Sequence, residues 1–219
     1  MKRTAFLLAW LALFLAGCSP AAVPTGSPVI HVYASSAARP WLVAMYDCAR
    51  QFNTVLVVSN PGTADVTLRL GEPATLTSPA FRMDSDEILA VTHPQAGVGT
   101  LSLEQVRAIL SGQVTNWSEV GGDNVPVQVW VYSEGEDLQQ VVERIMDGLP
   151  VAPSARVATS AQAMSDSVGA NPGSIGILPR HWKAGNTHET LTVTTVPVLA
   201  ITSSGPQGGL RQVLTCLQK

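Results

Sequence analysis

The sequence predicts an α/β fold with parallel-type sheets, because strand-like runs alternate with helical stretches along most of the chain. Runs rich in β-branched residues mark the strands, and clusters of Gly, Pro, Asn and Asp separate them from the helices. The predicted strands are 29–33, 55–58, 66–70, 125–132 and 192–201, with a buried-looking run at 88–91 and a turn followed by a strand at 171–179. The predicted helices are 40–52, 137–146, 160–168 and 208–217.

The segment 101–124, LSLEQVRAILSGQVTNWSEVGGDN, contains one further helix with clear start and stop signals. Ser102 and Gln105 have the spacing of a capping box, and apolar residues follow on one helical face. Gly112 supplies the left-handed turn that ends such a helix. Trp117 anchors a short turn, and the glycines and polar residues at 121–124 break the chain before the next strand.

The N-terminus has the pattern of an export signal, which has to be set aside before the fold is considered. Lys2 and Arg3 precede an apolar stretch, 5–15, that is too short to span a bilayer comfortably. The sequence 15–18, Leu-Ala-Gly-Cys, has the form of a bacterial lipobox, so 1–17 is a lipoprotein signal peptide, Cys18 is lipidated and 18–28 is a tether. The alternative is an ordinary secretory signal with a chance cysteine.

The composition indicates a globular protein and argues against a nucleic-acid-binding one. The chain has 219 residues, of which 46% are hydrophobic and 13% charged, which predicts a packed globule of one large domain or two lobes of about 100 residues each. The formal charge of −3 becomes more negative when Lys2 and Arg3 are removed with the signal peptide. An acidic chain without a basic cluster argues against nucleic acid as a partner.

Two cysteines remain once Cys18 is assigned to the anchor. Cys48 lies in the first predicted helix and Cys216 in the last. In an exported protein this favours a disulfide between them, with two free thiols as the alternative.

Three segments resemble the phosphate-type solute-binding proteins of ABC importers. The segment 101–124 is similar to the family pattern LT-x-x-Q-(L/V)-x-x-I-F-S-G-x-I-T-N-W-x-(D/E)-(V/L)-G-G, with Leu110 in place of Phe. The segment 171–179, NPGSIGILP, resembles N-P-G-A-I-G-Y-(V/L)-P, with Ile177 in place of Tyr. The tripeptide 34–36, Ala-Ser-Ser, occupies the place of the family's Gly-Ser-Ser/Thr ligand loop.

The resemblance implies a two-lobed periplasmic-binding-protein type 2 fold, with two crossover strands and a ligand cleft between the lobes. Lobe one would be 29–92 together with 191–219, and lobe two would be 93–190. This division places Cys48 and Cys216 in the same lobe, which supports their pairing.

The resemblance also implies which residues line the cleft. Ser35 and Ser36 would donate to an anion, although they could simply cap the following helix. Asp65 lies where the family has an Asp-bearing turn, although Asp is also common in turns generally.

The third family loop, R-x-x-G-S-G-T, differs plainly in this chain. When Gly135 is aligned with the first family glycine, the family's Arg falls on Tyr132 and its Ser-Gly-Thr on 136–138, Glu-Asp-Leu. Tyr132, Ser133, Gly135, Glu136 and Asp137 are therefore candidate ligand-binding residues of altered chemistry. Glu136 and Asp137 would repel phosphate, unless they only form the acidic first turn of a helix. Otherwise the pocket is adapted to a cationic, neutral or metal-bearing ligand.

The function predicted from the resemblance is an extracytoplasmic solute-binding lipoprotein of an ABC importer with an altered oxyanion site. Its partners would be a small solute, with anions among the candidates, an ABC permease, and a bacterial membrane reached through the lipid anchor; the protein itself would be a monomer. The alternative is a degenerate member that acts as a surface sensor or protein-interaction module without transport. No catalytic motif, metal-ligand spacing or cofactor motif is recognised, so neither an enzyme nor a cofactor is predicted.

Overall fold

The computed structural model describes residues 26–218, and the predicted signal peptide, Cys18 and most of the tether lie outside them. The strands are β1 (Val29–Ala34), β2 (Val55–Val58), β3 (Val66–Leu70), β4 (Ala80–Thr92), β5 (Gln128–Tyr132), β6 (Arg156–Ala158), β7 (Ser174–Pro179) and β8 (His188–Thr202). The helices are α1 (Leu42–Gln51), α2 (Leu103–Leu110), α3 (Asp137–Met146), α4 (Ala161–Ala170) and α5 (Gly208–Leu217).

The strands form one mixed eight-stranded sheet in the order β2-β1-β3-β8-β4-β7-β5-β6. The pairs β1–β2, β1–β3, β5–β6 and β5–β7 are parallel, whereas β8 runs antiparallel to both β3 and β4. The predicted α/β class is confirmed, and its parallel pairs occupy the two outer parts of the sheet. The long strands β4 and β8 connect those parts.

The direction of the strands brings two sets of carboxyl ends together at the middle of the sheet. β3 runs in the same direction as β4, because both are antiparallel to β8. β7 is antiparallel to β4, and β5 is parallel to β7. β5 therefore runs in the opposite direction to β3. Loops after β1 and β3 therefore face the loop after β5 and the start of α3. Such facing carboxyl ends are where α/β proteins form sites.

The segment 101–124 folds as its sequence predicts. Ser102 and Gln105 form the capping box at the start of α2, and Gly112 has the left-handed φ of 78° after its end. Trp117 is fully buried, and its indole N–H donates to the carbonyl of Gly173 over 2.8 Å. The two segments that carry the strongest resemblance are thus joined to each other in the core.

Cys48 of α1 and Cys216 of α5 form a disulfide, with a Cα–Cα distance of 5.9 Å. The bridge joins two cysteines that are 168 residues apart in the sequence, and it links the last helix covalently to the first. In the chain-entropy model a loop of this length contributes about 5 kcal/mol to stability.

Within residues 26–218, none of the helices combines the length and the hydropathy needed to cross a membrane.

We keep the proposed division and call 29–92 with 191–218 lobe one, and 93–190 lobe two. Thr92 is the last residue of β4, whereas Leu191 lies inside β8.

Candidate functional site

The candidate site lies where the loops after β1 and β3 meet the amino end of α3. Ser36, from the first loop, donates its hydroxyl to the Glu136 carboxylate, with 2.6 Å between Oγ and Oε2. This hydrogen bond connects lobe one to lobe two. Glu136 is the residue directly before α3, so its position is set by the start of that helix.

Asp137, the first residue of α3, makes the second set of contacts between the lobes. Its side chain is only 10% exposed. One carboxylate oxygen accepts from the backbone N–H of Leu70 at 3.0 Å, and the other lies 3.5 Å from a guanidinium nitrogen of Arg69. The end of β3 therefore holds the Asp137 carboxylate from lobe one.

The Arg69 guanidinium is itself held in place on both sides. Its Nε donates to the carbonyl of Gly71 over 3.1 Å, and one Nη donates to the side chain of Gln140 over 3.0 Å. Gln140 lies one helical turn after Asp137, so α3 supplies both an ionic and a neutral acceptor for Arg69. A guanidinium fixed in this way is preorganised for an anionic partner.

Burial is the main influence on the charge of Asp137. Removal from water raises the pKa of this carboxyl, while the Arg69 guanidinium, the Ser35 hydroxyl and the Leu70 N–H oppose that rise. Hydroxyl, backbone N–H and guanidinium groups are also the donors that a bound oxyanion requires. The chain's own carboxylate thus occupies donors of the kind that an oxyanion site uses.

Ser35 combines the two roles that the sequence left open. Its hydroxyl oxygen accepts from the backbone N–H of Ala38 at 3.4 Å, which is a local turn contact. The same hydroxyl lowers the pKa of Asp137 against the effect of burial. Ser35 therefore shapes the turn after β1 and also influences the acidic first residue of α3.

Tyr132 does not reach the cleft, contrary to the prediction from the third loop. The side chain is 2% exposed, and its hydroxyl donates to the backbone carbonyl of Ile177 at 2.8 Å. Burial, with the charge of Glu136 as a smaller cause, raises its pKa well above the ordinary tyrosine value. Tyr132 and Ile177 are both departures from the family pattern, and they contact each other in the core.

Ser133 and Gly135 shape the turn that leads into α3. The backbone N–H of Glu136 donates to the carbonyl of Ser133, and Gly135 has a φ of 90°. Ser133 also donates its N–H to Ala158 of β6. These two residues position Glu136 and Asp137, and their contacts are with the turn and with β6.

Asp65 lies at the opposite end of β3 from the cluster, so the structure does not bring it to Ser35 and Ser36. Its carboxylate accepts from the backbone N–H of His31 at 2.7 Å, beside the start of β1. The residue at the correct end of the strand is Arg69, which the sequence analysis missed. A charged residue inside the otherwise alternating strand VTLRL was the available signal, because such residues are rarely buried without a partner.

A second contact between the lobes lies beside this cluster. The indole N–H of Trp182 donates to the Ala37 carbonyl at 2.9 Å, and the ring of Trp41 packs on His181 at 4.5 Å between centroids. His181 in turn lies 3.1 Å from the buried carboxylate of Asp86. Trp41 and Trp182 thus pack the lobes together. Across residues 26–218, no group of three or more acidic, His or Cys side chains is placed to hold a metal ion.

Comparison with known proteins defines the class. The sequence model of the PBP superfamily domain matches residues 81–213, and the chain belongs to this superfamily. A putative phosphate ABC transporter substrate-binding protein with bound phosphate from Clostridium perfringens has a TM-score of 0.76 at 15% identity, over 86% of this chain and 92% of that one. An ABC-type phosphate transport receptor from Vibrio cholerae has a TM-score of 0.68 at 21% identity, over 87% and 93%.

The same fold also occurs outside transport. CbnR, a LysR family transcriptional regulator, has a TM-score of 0.60 at 13% identity, over 87% of this chain and 69% of that one. Identities this low show a shared fold, which is that of the phosphate-type periplasmic binding proteins. The function of a protein with this fold depends on its site.

The raised pKa of Asp137 predicts a pH-dependent contribution to stability. The folded protein holds this proton more tightly than the unfolded chain, so the contribution is fully present below the ordinary carboxyl value of 3.8 and is lost as the pH rises through the raised pKa. Asp137→Asn should flatten the fall in the free energy of unfolding across that window, measured by denaturant unfolding between about pH 4 and 8.

Asp166→Asn is the matched control for that experiment, because Asp166 is an exposed residue on α4. It should leave the slope of the wild-type protein unchanged. A slope for Asp137→Asn identical to that of the wild-type protein would contradict the assignment.

Proposed function

We propose that this protein is an extracytoplasmic, lipid-anchored solute receptor of an ABC importer whose phosphate-type site is filled by its own carboxylates. It would bind a small solute between its lobes, close around it and deliver it to a permease. Orthophosphate would not be that solute. Membership of the PBP superfamily and the shared fold support the receptor class.

The proposal that phosphate is not the solute is supported by the hydrogen bonds already formed at the site. Ser36 donates to Glu136, and the Leu70 N–H donates to Asp137, so hydroxyl and backbone donors at the site already have anionic acceptors. A phosphate placed about 4 Å from one carboxylate would be repelled by about 4 kcal/mol per unit charge at an effective dielectric constant of about 20. Phosphate would have to displace both acids to gain their donors.

The anchor and the location rest on the N-terminal sequence. Cys18 would carry the acyl chains, and the residues that follow would tether the body to the extracytoplasmic face of a bacterial membrane. The partners would be the permease and the solute, and the protein would work as a monomer. These proposals are supported by the lipobox and by the similarity of the fold to the phosphate transport receptor and the substrate-binding protein described above.

The second candidate is a surface sensor or protein-interaction module without transport. The direct contact between Ser36 and Glu136 favours it, because the lobes touch each other through the chain's own side chains. A thermal-shift screen of small solutes separates the two candidates, since a receptor gains stability from its solute. Neighbouring permease and ATPase genes would also favour transport.

Exchange of the two acids for the family's small residues should create oxyanion binding. Glu136→Ser combined with Asp137→Gly removes the carboxylates and leaves Arg69, Ser36 and the Leu70 N–H as donors. In calorimetry the wild-type protein should show no micromolar binding of phosphate, and the double variant should bind it at least about tenfold more tightly than the wild type.

Glu134→Ser is the matched control, because Glu134 is an exposed acid in the same turn. It should leave phosphate binding unchanged. Micromolar binding by the wild-type protein would contradict the proposal, since it would mean that the backbone donors outweigh the two carboxylates.

The anchor proposal predicts a change in location. Wild-type protein should fractionate with the membrane, and Cys18→Ser should be released in soluble form, because the thiol is the site of lipidation. Immunoblotting of membrane and soluble fractions measures this. Cys48→Ser with Cys216→Ser controls for the loss of cysteines elsewhere in the chain and should remain with the membrane. Membrane retention of Cys18→Ser would show that the anchor is assigned wrongly.

A further inference from the structure

A separate cavity of about 320 Å³ lies between the lobes, outside the carboxylate-filled site. It is bounded by the turn after β3, by the middle of β8 and by one face each of α2 and α3. Ser36, Glu136 and Asp137 are not among its lining residues. Its volume is at the lower end of the range for ligand sites, so it suits a small solute.

Two arginines line this cavity, one from each helix. Arg107 of α2 donates its Nε to the Ile145 carbonyl at 2.6 Å, and Arg144 of α3 donates its Nε to the Gln140 carbonyl at 3.2 Å. Within residues 26–218, the Nη atoms of both arginines have no hydrogen-bond partner. Each guanidinium is thus fixed at one nitrogen and retains donors for a ligand.

Gly71 leaves the space that Arg144 occupies. A Cβ added at Gly71 would lie 3.2 Å from an Nη of Arg144, so this guanidinium from lobe two reaches the backbone of lobe one. Gly71 also has a φ of 73°, which other residues rarely adopt. A ligand held by Arg144 would therefore touch both lobes.

The remaining walls of the cavity are mostly apolar. Glu72 is the one acidic residue in the lining, against the two arginines, so the charged residues of the lining are net positive. The apolar side chains are Leu103, Val141, Ile145, Val193, Val196 and Pro197. A cationic end beside apolar walls is complementary to a ligand with an anionic head and a hydrocarbon body.

We propose that this cavity binds a small aliphatic carboxylate, and that such a compound is the solute of the receptor. The inference rests on the proposed function, because it names the substrate class of a protein already argued to bind a solute other than phosphate. The carboxylate accepts from Arg107 and Arg144, and the aliphatic chain packs on the residues of α2, α3 and β8. An inorganic oxyanion would leave those apolar walls without a partner.

Hexanoate and hexanamide are suitable probes, because they share a chain and differ in the charge of the head group. The full-length protein is placed in lipid nanodiscs and titrated by calorimetry, with empty nanodiscs as the blank. Hexanoate should bind saturably, and hexanamide at least about tenfold more weakly, since it loses the charge-assisted hydrogen bonds.

Arg144→Gln is the main variant, because Arg144 is exposed and its loss should not disturb folding. It should weaken hexanoate binding at least about tenfold, and Arg107→Gln should do the same. Arg50→Gln is the matched control: Arg50 is on α1 with a side chain 80% exposed, far in sequence from the cavity residues, and it should have no effect.

Three results would overturn the inference: no saturable hexanoate binding, equal affinities for hexanoate and hexanamide, or unchanged binding by Arg144→Gln. A phosphate titration in the same experiment separates this failure from that of the proposed function. Micromolar phosphate binding would contradict the proposed function whatever hexanoate does. Absence of binding by both ligands would overturn only the carboxylate inference.

Discussion

The burial of the Asp137 carboxylate against the end of β3 is the interaction on which the arrangement of the two lobes depends. Removing this charge from water is costly, and the Arg69 guanidinium, the Ser35 hydroxyl and the Leu70 N–H offset part of that cost. Replacing Asp137 with a residue that has no acceptor would leave the Leu70 N–H without its partner. The contact between the lobes therefore depends on this set of side chains. The hydrogen bond from Ser36 to Glu136 adds a second contact between the lobes.

The same contact supports the proposal that this receptor has a ligand other than phosphate. A receptor cleft closes when a solute supplies contacts to both lobes. Here α3 supplies an anion from lobe two to the donors of lobe one, so part of the closure comes from within the chain. The solute site that we propose is the neighbouring cavity with Arg107 and Arg144, whose chemistry differs from that of a phosphate site.

Local rules predicted much of the fold, and the site was predicted less completely. The capping box at Ser102 and the glycine at 112 act within a few residues, so their pattern defined α2 correctly. Tyr132 was expected in the cleft because alignment shows position and not direction, and its hydroxyl turns instead to Ile177. Arg69 was missed because its acceptor, Asp137, is distant in sequence, and pairings of that kind depend on the packing of the whole sheet.

The distance between the lobes in solution tests the central claim most directly. Spin labels on cysteines introduced at two exposed positions, Val43 on α1 and Gln162 on α4, report this distance by double electron–electron resonance. The account predicts one narrow distribution for the solute-free protein, unchanged by phosphate, and a longer and broader one when Glu136 and Asp137 are both changed to Ala. A broad, open distribution for the solute-free protein, equal to that of the double variant, would contradict it.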